Sequence, residues 1–412
     1  MTKGWEVFVN QQGKRPWLQE ISRLVDQRAG HIRDIRRFLH QHPEPSGEEF
    51  HTTAFFLEKL KELDVRTVVG PGNRGLIIDA PGKDPLIAIR GDIDGLRIQD
   101  QKNTSYCSQS EGLMHACGHD AHAAIAYGTM LALIDLSKKF PEWSVPWRVL
   151  LQPAEETNRG AIELVKAGAV DGIQALMSLH MDPSRETGTI GVRSGAFTAD
   201  CNELEVQVLG RGAHAARPHE ACDPIAAAAQ LISSIFLFIP RGTDSQDPVV
   251  VSFGQIQAGQ NPNVIPDEVI VRGTLRTLDL RISENTIRHL ERLARGVAEA
   301  SGTAITVSHR HGPPGVENDP ELTKIVREVS GELLGREGVQ EISRPSMGGE
   351  DFANYLQKVS GVMFRLGCVK NTQNAPPLHS PLFDIDEDSL AVGTKVLAGS
   401  VVEWYLRHTN CG

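Results

Sequence analysis

Residues 147–156 read WRVLLQPAEE, an apolar run that ends in two adjacent carboxylates, Glu155 and Glu156. A short apolar run of this kind is typical of a strand that is buried on both faces, as in a parallel sheet. Open α/β sheets place their sites beyond the carboxyl ends of such strands. Neighbouring side chains point in different directions there, so one carboxylate can bind a metal ion while the other accepts a proton. Taken alone, a Glu-Glu pair is more often part of a solvated surface.

The chain around this strand alternates short apolar runs with helical patterns, which predicts an α/β domain with a largely parallel mixed sheet. From residue 203 to residue 309 the order is strand, helix, strand, strand, helix, strand, which is the ferredoxin-like α+β order. We therefore predict a domain inserted at 200–310, with 1–199 and 311–412 forming the α/β domain. Helices are predicted at 17–42, 48–63, 120–137, 158–170, 224–238, 284–300, 319–335 and 386–407, and strands at 76–80, 86–89, 147–151, 175–179, 188–192, 204–209, 249–256, 268–276, 304–309 and 362–366.

The composition is that of a folded protein with more than one domain, since 412 residues exceed the usual size of about 100 to 200 residues per domain. A net charge of -10 argues against a nucleic-acid or anionic-membrane partner. The N-terminal residues show no signal-peptide pattern, and we expect no stretch of about 20 apolar residues. We therefore expect a cytoplasmic protein. The cysteines lack a pattern of close pairs and are expected to be free thiols: Cys107, Cys117, Cys201, Cys222, Cys368 and Cys411.

The strongest local signal for chemistry is MHACGHDAH, residues 114–122, which holds three histidines, one cysteine and one aspartate. Thiolate and imidazole are the ligands that borderline-soft divalent metals such as Zn²⁺ or Ni²⁺ prefer. Cys117 and His119 are two residues apart in a predicted turn, so both can face one metal centre. The alternative is a cluster that only caps and packs a helix, because short motifs produce false positives.

Two further histidines extend this donor set. His180 follows the apolar run ALMSL, and His379 lies in PLHSP. A single histidine at the edge of a core is usually a structural residue, but together with the clusters above these two complete a set large enough for two metals. Asp92 and Asp94 in RGDIDG also follow a predicted strand, where they can orient metal ligands through hydrogen bonds.

The order of these motifs resembles the M20 metallopeptidase superfamily, and within it the amidohydrolase branch of hippurate hydrolases, aminoacylases and auxin-conjugate hydrolases. The resemblance runs from about residue 31 to residue 406 and is far more specific than any single motif. Its blocks, in chain order, are RGDIDGL, HACGHD, QPAEE, SLH, GRGAHAARPH, NVIP, GTLRT, GGEDF and LHSP.

This resemblance implies that Cys117, His119, Glu156, His180 and His379 bind two divalent ions, which would be zinc, manganese, nickel or cobalt. It implies that Glu155 is the general base. The implied reaction is metal-dependent hydrolysis of the amide bond of an N-acyl or N-aroyl amino acid, or of a similar small conjugate, by a water that the ions activate.

For the inserted domain, the resemblance implies formation of a homodimer and completion of the site. His214 is expected to stabilise the oxyanion, in its own site or in that of the partner subunit. Arg276 with Asn263 is expected to bind the carboxylate of the substrate, because guanidinium binds carboxylate in bidentate geometry. The backbone at Gly348 is expected to approach the substrate, since glycine leaves room. Without the resemblance, Arg276 would be interpreted as an exposed strand residue.

Two other functions remain open at this stage. A dipeptidase or deaminase could use the same dinuclear site, and a dipeptidase would need an anionic partner for the α-ammonium group, for which Asp94 and Asp120 are the local candidates. A catalytically silent dimeric binding protein on this scaffold should have lost a ligand or the base, yet Glu155 and all five ligands are present. We therefore predict a metal-dependent amidohydrolase.

Overall fold

The computed structural model describes residues 15–409, so Cys411 lies outside the described residues. The chain forms two compact units. Unit 1 runs to Phe197 and includes Glu317–Arg344 and the chain from Asp351, whereas unit 2 consists of Thr198–Val316 and Pro345–Glu350. The segment Pro345–Glu350 therefore packs with unit 2, although the sequence analysis assigned it to the other domain. The predicted boundaries at 200 and 310 stay a prediction.

The helices and strands of the described residues alternate along unit 1 and follow the ferredoxin-like order in unit 2. The helices are α1 (Pro16–Gln41), α2 (Phe50–Leu60), α3 (His119–Lys139), α4 (Gly160–Lys166), α5 (Pro224–Gly242), α6 (Leu280–Ser301), α7 (Pro320–Leu334), α8 (Ala353–Leu356) and α9 (Asp388–Thr409). The strands are β1 (Arg66–Val69), β2 (Leu76–Asp79), β3 (Ile87–Asp92), β4 (Trp147–Gln152), β5 (Ala175–Glu186), β6 (Ile190–Val192), β7 (Gly195–Ala196), β8 (Asp200–Leu209), β9 (Ala213–His214), β10 (Val249–Ala258), β11 (Val264–Ile265), β12 (Glu268–Thr277), β13 (Ala304–His311), β14 (Glu317–Asn318), β15 (Val339–Glu341) and β16 (Ser360–Val369). The strands that the sequence analysis missed are short, because two to four residues carry little periodic signal.

Unit 1 contains a mixed sheet in the order β1-β2-β4-β3-β5-β16-β6-β15. Strands β4, β3, β5 and β16 are parallel to one another at its centre, which confirms the predicted α/β class. β3 and β4 are buried along their whole length, as expected for parallel strands that are covered on both faces. The register pairs Asp92 with Gln152 and Arg90 with Ser178. The ends of β3 and β4 therefore lie level with His180 on β5.

Helix α3 begins inside the motif of residues 114–122, at His119, and is buried over most of its length. A helix that is buried on all sides lies in the interior of a domain. It begins after Gly118, which has a φ of 88°. A Cβ at this position would lie 3.0 Å from Cγ of Met181. Glycine is therefore required there both by the backbone conformation and by the close contact.

Unit 2 contains a four-stranded antiparallel sheet in the order β10-β12-β8-β13. Burial alternates along β8, because one face of the sheet packs against α5 and α6. This arrangement confirms the predicted ferredoxin-like domain. Its core includes Leu204, Val206, Leu231, Ile235 and Leu290.

Helix α5 differs from the sequence expectation in one respect. By length and composition alone it is long and apolar enough to cross a membrane, with a mean hydropathy of 1.5. One side of the helix, including Ala227 and Leu231, packs into the core of unit 2. The helix also carries large apolar residues that are exposed, which are Ile225, Phe236, Leu237 and Phe238.

Candidate metal centre

Unit 1 brings a thiol, three imidazoles and a carboxylate together from distant parts of the chain. Sγ of Cys117 lies 3.5 Å from Nε2 of His180 and 3.4 Å from Nε2 of His379. Oε1 of Glu156 lies 3.3 Å from Nε2 of His379 and 3.9 Å from Nε2 of His119. The ligand atoms form two groups that share Cys117, one with His119 and His180 and the other with Glu156 and His379. All five predicted ligands thus converge.

Different elements carry these donors to one place. Cys117 precedes α3 and His119 begins it, while His180 lies on β5 and Glu156 follows β4. His379 lies in the loop before α9, with a φ of 63° that is uncommon for a residue other than glycine. Its backbone N–H donates to the carbonyl oxygen of Ala116 at 2.8 Å. This hydrogen bond ties the His379 loop to the turn that carries Cys117.

Hydrogen bonds orient two of the imidazoles. Nδ1 of His180 donates to the carbonyl oxygen of Met181 at 2.8 Å, and Nδ1 of His119 lies 3.0 Å from the carbonyl oxygen of Asp94. In both rings Nε2 therefore lacks a proton when the ring is neutral, which is the form that binds a metal. Among the described residues, the buried Nε2 of His119 has no hydrogen-bond partner. A buried polar atom without a partner is costly, so this donor set fits a bound cation.

Burial and hydrogen bonding shift the pKa values of three of the donors. Burial lowers the pKa of His180 well below its ordinary value, which keeps the imidazole neutral. Burial raises the pKa of the Cys117 thiol, so that metal binding must release a proton from sulfur. The hydrogen bond to Glu156 raises the pKa of His379.

His122 lies close to the donor set but has a different role. Its Nδ1 lies 2.7 Å from Oδ1 of Asp92, and its Nε2 accepts the backbone N–H of Met181 at 2.9 Å. Both ring nitrogens are therefore engaged with the protein. Burial alone would raise the pKa of Asp92, but Arg90, His119 and His122 outweigh it and hold this pKa well below its ordinary value. Asp92 and His122 thus contact each other beside the candidate ligands, and with His119 they form a further candidate ligand group among the described residues.

Glu155 and Asp94 flank the ligands. Oε2 of Glu155 lies 3.9 Å from Nε2 of His119, and its Oε1 accepts the backbone N–H of Asp351 at 3.4 Å. Asp94 accepts the N–H of Glu156 at 3.1 Å and lies 3.1 Å from Nδ1 of His119 through its Oδ1. One carboxylate thus stands beside the donor set, while the other contacts two of the candidate ligands.

The sequence analysis missed a buried ion cluster beneath this site. Arg90 donates to Oδ2 of Asp92 at 2.6 Å, to Oε1 of Gln152 at 2.8 Å and to Oδ1 of Asp351 at 3.0 Å. Its guanidinium and both carboxylates are fully buried. The sequence did contain a signal for this cluster, which is Arg90 itself at the end of an apolar run. A buried arginine needs anionic partners. Asp351 lies 261 residues away in the chain, so its identity as a partner could not be inferred.

The remaining predicted site residues lie in two places in unit 2. His214 on β9 pairs with Val264 on β11, and the neighbouring N–H of Ala215 donates to the carbonyl oxygen of Asn263 at 3.0 Å. Both His214 and Asn263 are exposed. Arg276 donates from Nη1 to the carbonyl oxygen of Met347 at 2.8 Å, which places it beside the segment that contains Gly348.

Comparison with known proteins matches residues 88–403, most of the chain, to peptidase family M20/M25/M40. The chain belongs to this family. N-acetylcysteine deacetylase of Bacillus subtilis is 36% identical over 369 residues, covering 89% of this M20 chain and 94% of that protein. N-acetyldiaminopimelate deacetylase of Streptococcus uberis is 34% identical over 366 residues, covering 86% and 94%.

A solved structure agrees with the chemistry of the donor set. A dinuclear metal-binding peptidase of the M20 family from Bacillus subtilis has a TM-score of 0.79 and 33% identity, and the match covers 92% of this chain and 99% of that one. These relatives confirm the family predicted from the motif order and identify the M20 chain as a metal-dependent hydrolase. The dinuclear relative and the two ligand groups support two divalent ions.

Proposed function

We propose that this M20 enzyme hydrolyses the amide bond of N-acyl or N-aroyl amino acids, with Glu155 as the general base. The observation that carries the proposal is the position of the Glu155 carboxylate, 3.9 Å from Nε2 of His119, beside the convergent donor set. Relatives named for the deacetylation of N-acetylcysteine and N-acetyldiaminopimelate support an acylated amino acid as the substrate.

Two divalent ions held by the five donors would acidify a water and polarise the scissile carbonyl. Glu155 accepts the proton of the attacking water and delivers it to the leaving nitrogen, because an amide anion is a prohibitive leaving group. The carbonyl carbon gains the water oxygen, the C–N bond breaks, and a carboxylic acid and a free amine result. Glu155 is 8% exposed, so its carboxylate is largely shielded from bulk solvent.

The test of this function is a substrate panel assayed with Zn²⁺, Mn²⁺, Co²⁺ and Ni²⁺, the metals that a thiolate-imidazole-carboxylate set accommodates. The panel pairs N-acetyl amino acids and hippurate with glycyl dipeptides of the same amino acids. We expect release of free amino acid from the acylated compounds. Hydrolysis of the free-amine dipeptides alone would support the dipeptidase instead, and a lack of turnover with every metal would contradict the proposal.

Unit 2 is proposed to complete the site, with His214 stabilising the oxyanion and Gly348 close to the substrate. Arg276, with Asn263, is proposed to bind the substrate carboxylate. Arg276→Ala should raise KM for an N-acyl amino acid about 10- to 100-fold, since a hydrogen bond to a charged group contributes about 1.5–3 kcal/mol. The KM for the matching N-acyl amine, which lacks the carboxylate, should not change.

Arg272→Ala is the matched control, because Arg272 lies on the same strand and pairs with Glu205 at 2.6 Å. It should leave both KM values near those of the wild type. An equal rise of KM for both substrates in Arg276→Ala would mean that Arg276 only supports the loop at Met347, and would remove the proposed carboxylate contact.

We further propose a homodimer that forms through unit 2. Phe236, Leu237 and Phe238 on α5 are 52%, 59% and 46% exposed. Strand β10 is an edge strand of the same unit, and exposed edges and apolar patches are typical of interaction surfaces. Leu237→Glu should therefore convert a dimer into a monomer of 45.0 kDa in light scattering. Gln246→Glu adds the same charge on an exposed loop and should remain dimeric. A monomeric wild type would contradict this proposal.

A further inference from the structure

The turn between β4 and α4, which carries Glu155 and Glu156, has an unusual backbone. Ala154 has a φ of 53° and Asn158 a φ of 55°. Residues other than glycine rarely adopt this left-handed conformation, and they persist in it only where surrounding groups enforce it. The turn that carries the base and a ligand is therefore held from outside.

Three carboxylates from distant segments hold this turn by its backbone N–H groups. Glu49 accepts the N–H of Ala154 at 2.7 Å. Asp94 accepts that of Glu156 at 3.1 Å, and Asp351 accepts that of Ala161 at 3.0 Å. The turn is thus fixed at its entry, at its middle and at its exit.

Of these three carboxylates, Glu49 is the one that lies outside the sequence motifs described above. It lies directly before α2 and is 0% exposed. Its Oε1 also accepts the N–H of Gly47 at 2.8 Å, and its Oε2 lies 3.4 Å from Nη1 of Arg74. Glu49 is in none of the candidate ligand groups of the described residues. The buried carboxylate of Glu49 therefore binds the backbone N–H groups of residues 47 and 154 and the guanidinium of Arg74.

We propose that Glu49 is a positioning residue that fixes Glu155 by holding the backbone of Ala154 in its left-handed conformation. This inference rests on the function proposed above, in which Glu155 is the base. Reacting groups must be placed closely, and a displacement of about 1 Å can lower the rate about 10²-fold. Glu156 keeps its separate hydrogen bond to Asp94, so the loss of Glu49 displaces the base while the metal ligand stays in place.

The test compares Glu49→Ala and Glu49→Gln with Glu44→Ala. Glu44 is the matched control, since its carboxylate accepts the N–H groups of His51 and Thr52 at 2.9 and 2.7 Å at the start of the same helix, rather than an N–H group of the turn. In Glu49→Ala we expect kcat to fall about 10²-fold, with KM and metal content unchanged. Glu49→Gln should recover most of kcat, because its amide oxygen can accept both N–H groups. Glu44→Ala should keep the wild-type kcat.

Hydrogen exchange of peptides that cover residues 152–161 supplies a readout that does not depend on a substrate. Exchange should be faster in Glu49→Ala and unchanged in Glu44→Ala. If the wild type cleaves no acylated amino acid, the proposed function fails while this comparison still tests Glu49. Unchanged exchange in Glu49→Ala, or a kcat per metal-loaded site equal to that of Glu44→Ala, would overturn the inference. Should Glu49→Ala not fold, Glu49→Asp carries the same comparison, since its shorter side chain cannot reach both N–H groups.

Discussion

Glu155→Gln is expected to lower kcat by about 10²- to 10⁴-fold, the usual contribution of general acid-base catalysis, while metal content stays at the wild-type value. The amide has the shape of the carboxylate but cannot accept a proton from water. Its oxygen can still accept the N–H of Asp351, which the carboxylate does at 3.4 Å. Glu155 also belongs to neither of the two ligand groups that contain Cys117. Steady-state kinetics and elemental analysis of the same preparation measure both quantities.

The control is Glu62→Gln. It removes the same charge from an exposed residue that is not one of the candidate ligands. It should have wild-type kinetics. Activity of Glu155→Gln equal to that of the control would require a different base. Loss of bound metal in Glu155→Gln would instead make Glu155 a ligand, which is a real alternative because its carboxylate groups with His119 and Glu156.

Cys117→Ser is expected to remove most of the bound metal and, with it, nearly all activity. Sγ of Cys117 belongs to both ligand groups, and it lies within 3.5 Å of the Nε2 atoms of His180 and His379. A serine hydroxyl does not ionise near neutral pH and is a poor ligand for borderline-soft metals, which prefer thiolate. We expect metal content to fall from about two ions to below about one per chain, because one change weakens both positions.

The half-buried Cys107 provides the matched control, since it is also a free thiol. Cys107→Ser should keep both its metal and its activity. If Cys117→Ser retained two ions per chain with unchanged affinity, the shared thiolate would be wrong, and the two ligand groups would have to be assigned independently.

The local sequence pattern was sufficient to predict much of the fold and the types of metal-binding side chain. The apolar runs of β3, β4 and β5 were recognisable because buried parallel strands need apolar side chains on both faces. The strand-helix-strand-strand-helix-strand order from residue 203 to residue 309 defined unit 2, since a ferredoxin-like unit closes with its own elements. The donor types were visible as well, because thiolate, imidazole and carboxylate are the side-chain groups that bind such metals.

Other features depend on contacts between distant segments. The segment Pro345–Glu350 packs with unit 2, and no local pattern distinguishes it from the chain on either side. Arg90 and Asp351 form a buried ion pair although 261 residues separate them in the chain. Glu49 contacts the turn that carries Glu155 and Glu156 through the backbone N–H of Ala154. A hydrogen bond to a backbone group leaves no trace in the identity of the residue that donates it.

His119 and His122 show where the two kinds of information separate. They lie three residues apart in one motif, where the local pattern showed only that imidazoles were available, and the choice of His119 as a ligand came from the family resemblance. In the folded chain, Nε2 of His119 faces the donor set, whereas Asp92 and the backbone of Met181 engage both nitrogens of His122. Which imidazole can bind a metal is decided by what its second nitrogen contacts, and only the tertiary structure supplies that partner.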